Sequence, residues 1–163
     1  TGEVFTTPDR ENANGVLKSS LPLSYNGVLI KDIALTFQDG GVVSASASEG
    51  EETLRRLLDM DEGARRLGEV ALVPHSSPIS KMGILFYNTL YDENASCHFA
   101  LGKGFQDCVM GGADMTDEEK LAAGVNDSLV HVDFMVGTGD MNITGITKEG
   151  ARVPVFENGE WAL

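Results

Sequence analysis

Histidines and carboxylates in apolar settings are the residues of this chain whose types and spacing could do chemistry. The sharpest case is His131-Val132-Asp133, inside the run Ser128 to Val136. That run is short, rich in β-formers and ends at Gly137, so it reads as a mostly buried strand. Residues i and i+2 of a strand share a face, so His131 and Asp133 point the same way. Charge in a dry interior needs a partner; a cation is one such partner and a plain hydrogen-bonded pair is another. Further carboxylates sit beside apolar residues: Glu3 before Val4-Phe5, Glu69 inside Gly68 to Val73, and Asp92 and Glu93 upstream of His98. Imidazole with carboxylate oxygen suits zinc, cobalt or manganese. If five or six such groups converge, two cations about 3.5–4 Å apart become chemically reasonable. Taken singly, each residue also has an ordinary structural explanation.

Other chemistries fit less well. No Gly-x-Ser-x-Gly elbow is present, no His-Glu-x-x-His occurs, and no closely spaced cysteine pair marks a zinc site. Cys97 and His98 are sequence neighbours and so point apart on a strand or helix. Hydrolysis by a carboxylate pair without metal is an alternative that leaves the histidines without a role.

The elements that must position these residues read as an α+β, β-rich fold with a mostly antiparallel or mixed sheet and a few short helices. Thr1 to Pro8 is extended, Gly15 to Leu23 is a strand, and Asn26-Gly27 and Asp39-Gly40 are hairpin turns within an antiparallel meander. Leu54, Leu57, Leu58, Ala64 and Leu67 follow helical spacing, broken into two short helices at Asp59 to Gly63. Gly68 to Val73 returns to strand. Pro74 to Ser80 is a loop, and Gly83 to Leu90 is a strand or a short buried helix. A helix opens from Asn94 or Ser96 and continues through Gly104. Thr116 and Glu119 form a capping box for a short helix ending near Gly124. Asp140 to Trp161 is a closing hairpin pair.

The chain has 163 residues, of which 42% are hydrophobic, enough for one domain with a real core. Its 19 glycines favour many turns over a helical bundle. A net charge of -13 argues against nucleic acid and against an anionic membrane surface, and is compatible with cationic partners. Two cysteines are too few for a disulfide scaffold, so two free thiols in a reducing cytoplasm are expected. No window approaches a membrane span. The start at Thr1-Gly2 rather than Met suggests a piece of something longer.

The segments TGEVFTTPDR, LGEVALVP, ILFYNTLYDENASCHFALG and NDSLVHVDFM resemble the bacterial metallo-aminopeptidases of the aminopeptidase T, aminopeptidase S and PepS type. The resemblance covers the C-terminal, metal-binding part of that family, so residues 1–163 would form one catalytic domain of a larger two-domain protein that dimerises. It implies a two-metal exopeptidase acting on peptides with a free N-terminus. Its ligand positions match Glu3, Glu69, Glu93, His98, His131 and Asp133. Glu69 would bridge the two divalent ions, and Glu93 would be a further ligand or would orient the water. One position departs: the family has a tyrosine where this chain has Phe105. His75 matches no ligand position and is expected to be structural. The competing expectation is a metal-binding domain that is inactive without its missing domain or dimer partner, since Glu3 lies three residues from the start.

Overall fold

The computed structural model describes residues 2–162, and every strand pair within them is antiparallel. β1 (Val4–Thr6) does not pair with its neighbours in sequence. β2 (Gly15–Lys18), β5 (Ala34–Gln38) and β6 (Gly41–Ser46) form one three-stranded sheet, while β3 (Leu23–Tyr25) and β4 (Val28–Ile30) make a separate hairpin. The two hairpin turns fall where Asn26-Gly27 and Asp39-Gly40 put them, all four residues having positive φ. The expected simple meander is broken, because β2 skips the β3–β4 hairpin to pair with β5. The first strand of that region also stops at Lys18 rather than Leu23. Beyond it, Ser19 turns the chain, its hydroxyl accepting from Ile33 N–H at 2.9 Å.

Helix α1 (Glu51–Leu58) buries Leu54, Leu57 and Leu58, one face at i, i+3 and i+4, and a 3₁₀ turn at Gly63–Arg65 follows. β7 (Leu67–Leu72), β8 (His98–Gly102) and β9 (His131–Met135) join β1 in a four-stranded sheet, ordered β1-β7-β8-β9. Between β7 and β8 lie two short helices, α2 (Pro78–Met82) and α3 (Thr89–Asp92), and a 3₁₀ turn at Glu93–Ala95. Residues 78–82, expected as loop, are therefore helical, with Ser77 capping through Ser80 N–H. The apolar stretch from Gly83 is irregular up to Asn88 and leaves Ile84 and Tyr87 exposed, so it is neither strand nor buried helix.

The helix expected through Asn94–Gly104 is a strand instead. Ser96 breaks to extended geometry and His98–Gly102 pairs on both sides, with β7 and with β9. Two ladders outweigh the local cap signal at Ser96. α4 (Asp117–Ala122) has both arms of the Thr116/Glu119 capping box. The last three strands, β10 (Ile143–Ile146), β11 (Arg152–Glu157) and β12 (Glu160–Trp161), form their own sheet.

The core packs Leu67, Leu101, Val132 and Phe134, from one face of the four-stranded sheet, with Leu35, Phe37, Leu54 and Leu57. Period-two alternation therefore leaves the opposite face of that sheet to other residues. Among the described residues no helix is long and apolar enough to cross a membrane.

Candidate metal centre

Register places the chemistry. Phe5 lies opposite Ala71, Ala71 opposite His98, Glu69 opposite Ala100, Ala100 opposite Asp133 and Gly102 opposite His131. Directly paired residues share a face, and Glu3 shares Phe5's face by being two residues before it. The face turned away from the core thus carries Glu3, Glu69, His98, His131 and Asp133. Ala71 and Ala100, both wholly buried, floor the space between them. Small side chains there leave room for the longer ligands to converge.

One irregularity in β7 makes this possible. Leu67 pairs with Leu101 and Glu69 with Ala100, so Gly68 is an extra residue in the strand. Without that bulge Leu67 and Glu69 would share a face. With it, Leu67 enters the core and Glu69 turns to the site, the re-aiming that bulges achieve beside functional residues. Glycine is required at this point: a Cβ on Gly68 would lie 2.3 Å from Lys103 O and 2.4 Å from Gly102 O.

The two imidazoles are held alike. His98 is buried, and its Nδ1 lies 2.9 Å from the Ser96 carbonyl. His131 Nδ1 lies 2.7 Å from the Lys103 carbonyl. A carbonyl only accepts, so each Nδ1 carries its hydrogen and each Nε2 faces the carboxylates. His98 Nε2 lies 3.5 Å from Glu3 Oε2. His131 Nε2 lies 3.1 Å from Glu69 Oε2 and 3.5 Å from Asp133 Oδ1. Ligand atoms of Glu69, His98 and Asp133 all lie within 4.8 Å of one another.

Glu93, on the 3₁₀ turn after α3, completes the cluster. Its own burial, then the negative charge of Asp133, Glu3 and Glu69, and a hydrogen bond to Asp133, push its carboxyl up to about 8. Burial also raises Glu3, with Glu69 and Asp133 adding to it against the opposing His98. Burial disfavours a charged His131 ring, but the neighbouring Asp133 and Glu69 carboxylates and the Lys103 carbonyl outweigh this and raise it to about 10. So many acids in one dry space repel one another unless something positive joins them.

The polar atoms left over test whether a cation suits the site. Glu3 Oε2 and Asp133 Oδ1 are buried and, among the described residues, accept no hydrogen bond. Neighbouring Asp92 shows the contrast: equally buried, it accepts from Phe86 N–H at 2.7 Å and Asn88 N–H at 3.0 Å and needs nothing more. An orphaned carboxylate oxygen in the interior costs several kcal/mol, roughly, unless it is paired. Two imidazole nitrogens and carboxylate oxygens brought together on one sheet face form the donor set of zinc, cobalt or manganese.

Five of the residues singled out by sequence, Glu3, Glu69, His98, His131 and Asp133, therefore share one sheet face, and Glu93 reaches them from the 3₁₀ turn beside it. Asp92 stands apart, tying the loop from Phe86 to Asn88. His75 is exposed, with its backbone N–H donating to Gly159 O at 2.8 Å, and lies away from the cluster. Both cysteines are free thiols. Cys97 is buried and hydrogen-bonded to the Val73 backbone, and burial pushes its thiol up, which makes it a poor nucleophile. The carbonyls of Ser96 and Lys103, which fix the two rings, carry no side-chain signal for sequence reasoning to find. Phe105 is a neighbour of the site, its ring centroid 5.0 Å from that of His131 and 5.3 Å from that of Phe5.

Sheet, donor set and orphaned oxygens define a protein built to hold divalent metal. The chain belongs to the family of thermophilic metalloproteases (M29), which matches residues 1–161. It is 57% identical over 163 residues to aminopeptidase 2 of Geobacillus stearothermophilus and 55% identical to aminopeptidase PepS of Streptococcus thermophilus. Each alignment covers 100% of this chain and 40% of the relative. The solved structure of wild-type AmpT from Thermus thermophilus superposes with a TM-score of 0.94 at 48% identity, over 100% of this chain and 40% of that one. The chain thus spans about 40% of the length of these relatives.

Proposed function

We propose that residues 1–163 form the C-terminal catalytic domain of a metal-dependent aminopeptidase, which hydrolyses the N-terminal bond of peptides. The observation that carries this is the pair of orphaned carboxylate oxygens, Glu3 Oε2 and Asp133 Oδ1, set among the two Nε2 atoms and Glu69. Glu3, Glu69, Glu93, His98, His131 and Asp133 would hold two divalent ions (zinc, cobalt or manganese). Bound there, such ions supply Lewis acidity and lower the pKa of water towards neutrality.

The chain's own groups do the rest. The Ser96 and Lys103 carbonyls keep both rings turned with Nε2 inward, so no reorientation is needed at the moment of reaction. Glu93, set beside Glu3, Glu69 and Asp133, is placed to take a proton from the attacking water and return it to the leaving amine. In the balance of the reaction, the carbonyl carbon gains the water oxygen, the C–N bond breaks and the new amine takes the proton. An acidic side chain of the cluster holds the free ammonium of the substrate, which restricts cleavage to the chain end. The net charge of -13 attracts cationic amino termini. The same reading takes the whole protein to be a cytoplasmic homodimer.

The test is metal content together with hydrolysis of leucine p-nitroanilide, before and after chelation. Activity should vanish with chelator and return with zinc or cobalt; activity that survives chelation overturns the reading. Glu69→Gln should lower metal content, and unchanged content removes Glu69 from the ligand set. A second reading, a metal-binding domain without activity, is favoured by the position of Glu3. It precedes a three-residue edge strand, exposed at every position, that holds one side of the site. Bound metal with no hydrolysis would select it.

A further inference from the structure

Most of the site face is polar, yet two large apolar rings stand at its rim. Phe5 is 42% exposed and Phe105 is 37% exposed. They tilt against each other at 60° with centroids 5.3 Å apart, and Phe105 also rests on the His131 ring. Neither belongs to the core cluster on the other side of the sheet. Phe5 shares its face with Glu3 and pairs with Ala71, so it projects beside the ligands rather than away from them. The backbone leading to Phe105 is fixed: Lys103 N–H donates to Val130 O at 2.7 Å and Gly104 N–H to Asn126 O at 2.8 Å. The same Lys103 offers its carbonyl to His131. One short segment therefore sets both a candidate ligand and the ring beside it.

We infer that Phe5 and Phe105 form the wall of the subsite that receives an apolar side chain on the substrate's N-terminal residue. This rests on the aminopeptidase reading above and adds a preference to it. Carboxylates of the cluster hold the ammonium, and the side chain on the same α-carbon needs a surface within reach. Half-exposed aromatic rings gain by covering it, since apolar area leaves water on both partners. A glycine at the substrate N-terminus has nothing to place there.

The test compares leucine with glycine on cobalt-loaded protein and on its Phe5→Ala, Phe105→Ala and Phe105→Tyr forms. Two quantities are measured: kcat/KM for the two amino-acid p-nitroanilides, and Kd for the two amino-acid hydroxamates. The leucine-to-glycine ratio should fall about tenfold or more in each alanine form. Phe105→Tyr, which keeps the ring, should hold the ratio within about twofold. Both rings are more than one-third exposed, so alanine leaves the core intact, and either alanine form alone decides the matter. Ratios equal to wild type in the alanine forms overturn the subsite and leave the pair a surface contact. The hydroxamate ratio needs no turnover. A protein that hydrolyses neither anilide yet loses hydroxamate selectivity in the alanine forms refutes the proposed activity and supports the subsite.

Discussion

Replacing Gly68 by alanine should damage the metal centre through the backbone, without touching a ligand. The new methyl carbon would stand 2.3 Å from Lys103 O and 2.4 Å from Gly102 O. Ordinary contact needs roughly 1 Å more, and neither obstacle is a side chain that can swing aside. β7 and the chain after β8 must therefore separate, at an overpacking cost of about 1–3 kcal/mol in stability. The displaced Lys103 carbonyl is the acceptor that orients His131, and the displaced strand carries Glu69. Disturbing the group behind a metal-ligating histidine typically weakens metal binding about 10–100-fold. Competition for zinc against a chromophoric chelator measures this, with thermal unfolding of the metal-free protein run alongside. A variant with a lowered melting temperature but zinc affinity within twofold of wild type would refute the bulge as the device that aims Glu69.

Three further outcomes are expected. Glu93 and His131 have pKa values raised above their ordinary 4.5 and 6.5, to about 8 and about 10, so the metal-free fold binds more protons than the unfolded chain. Its stability should therefore fall as pH rises through the shared window from 6.5 to about 8, while metal affinity rises, because metal displaces those protons; calorimetry in buffers of different ionisation enthalpy reads the release, and buffer-independent heats contradict it. Phe105→Tyr should raise leucine p-nitroanilide turnover by about 10²–10³ if a phenol there donates to the transition state, and a rate within threefold of wild type removes that role. Phe134→Ala, which empties a fully buried position on the core side of β9, should cost about 3–5 kcal/mol in denaturant unfolding, and a loss below about 1 kcal/mol would mean the core closes over the gap.

Much of this was legible in the sequence where the signal is local. Asn26-Gly27 and Asp39-Gly40 turn where positive φ is needed, Thr116 and Glu119 cap α4 as a box, and Leu54, Leu57 and Leu58 face the core from one side of α1. His131 and Asp133 share a face because period two is a property of any strand. The misreadings lie where a non-local partner decides. Ser96 has the composition of a helix start, but pairing on both edges of His98–Gly102 makes the following segment a strand. Ile84 and Tyr87 are apolar yet exposed, so hydrophobicity gave the wrong burial for that stretch. Which strands adjoin, and that Gly68 adds a residue to β7, follow from sheet assembly and leave no periodic trace. The convergence of the six residues rests on those same pairings, and the backbone carbonyls behind His98 and His131 have no letter in the sequence.

The spatial order β1-β7-β8-β9 has a consequence for how the site comes into being. Its two outer strands carry Glu3 at one edge and His131 and Asp133 at the other, so the side chains furthest apart in the chain close the cluster from opposite sides. Such distant contacts form late, because loop closure must precede any gain from them. During synthesis the first strand can pair once β7 emerges and Glu3 can meet His98 once β8 does, while His131 and Asp133 arrive only with β9. A fragment ending before β9 holds Glu3, Glu69, Glu93 and His98 but lacks the far edge. Under the proposed reading, full metal capture would require β9 to have paired with β8, with the β10–β12 sheet still to follow in the chain.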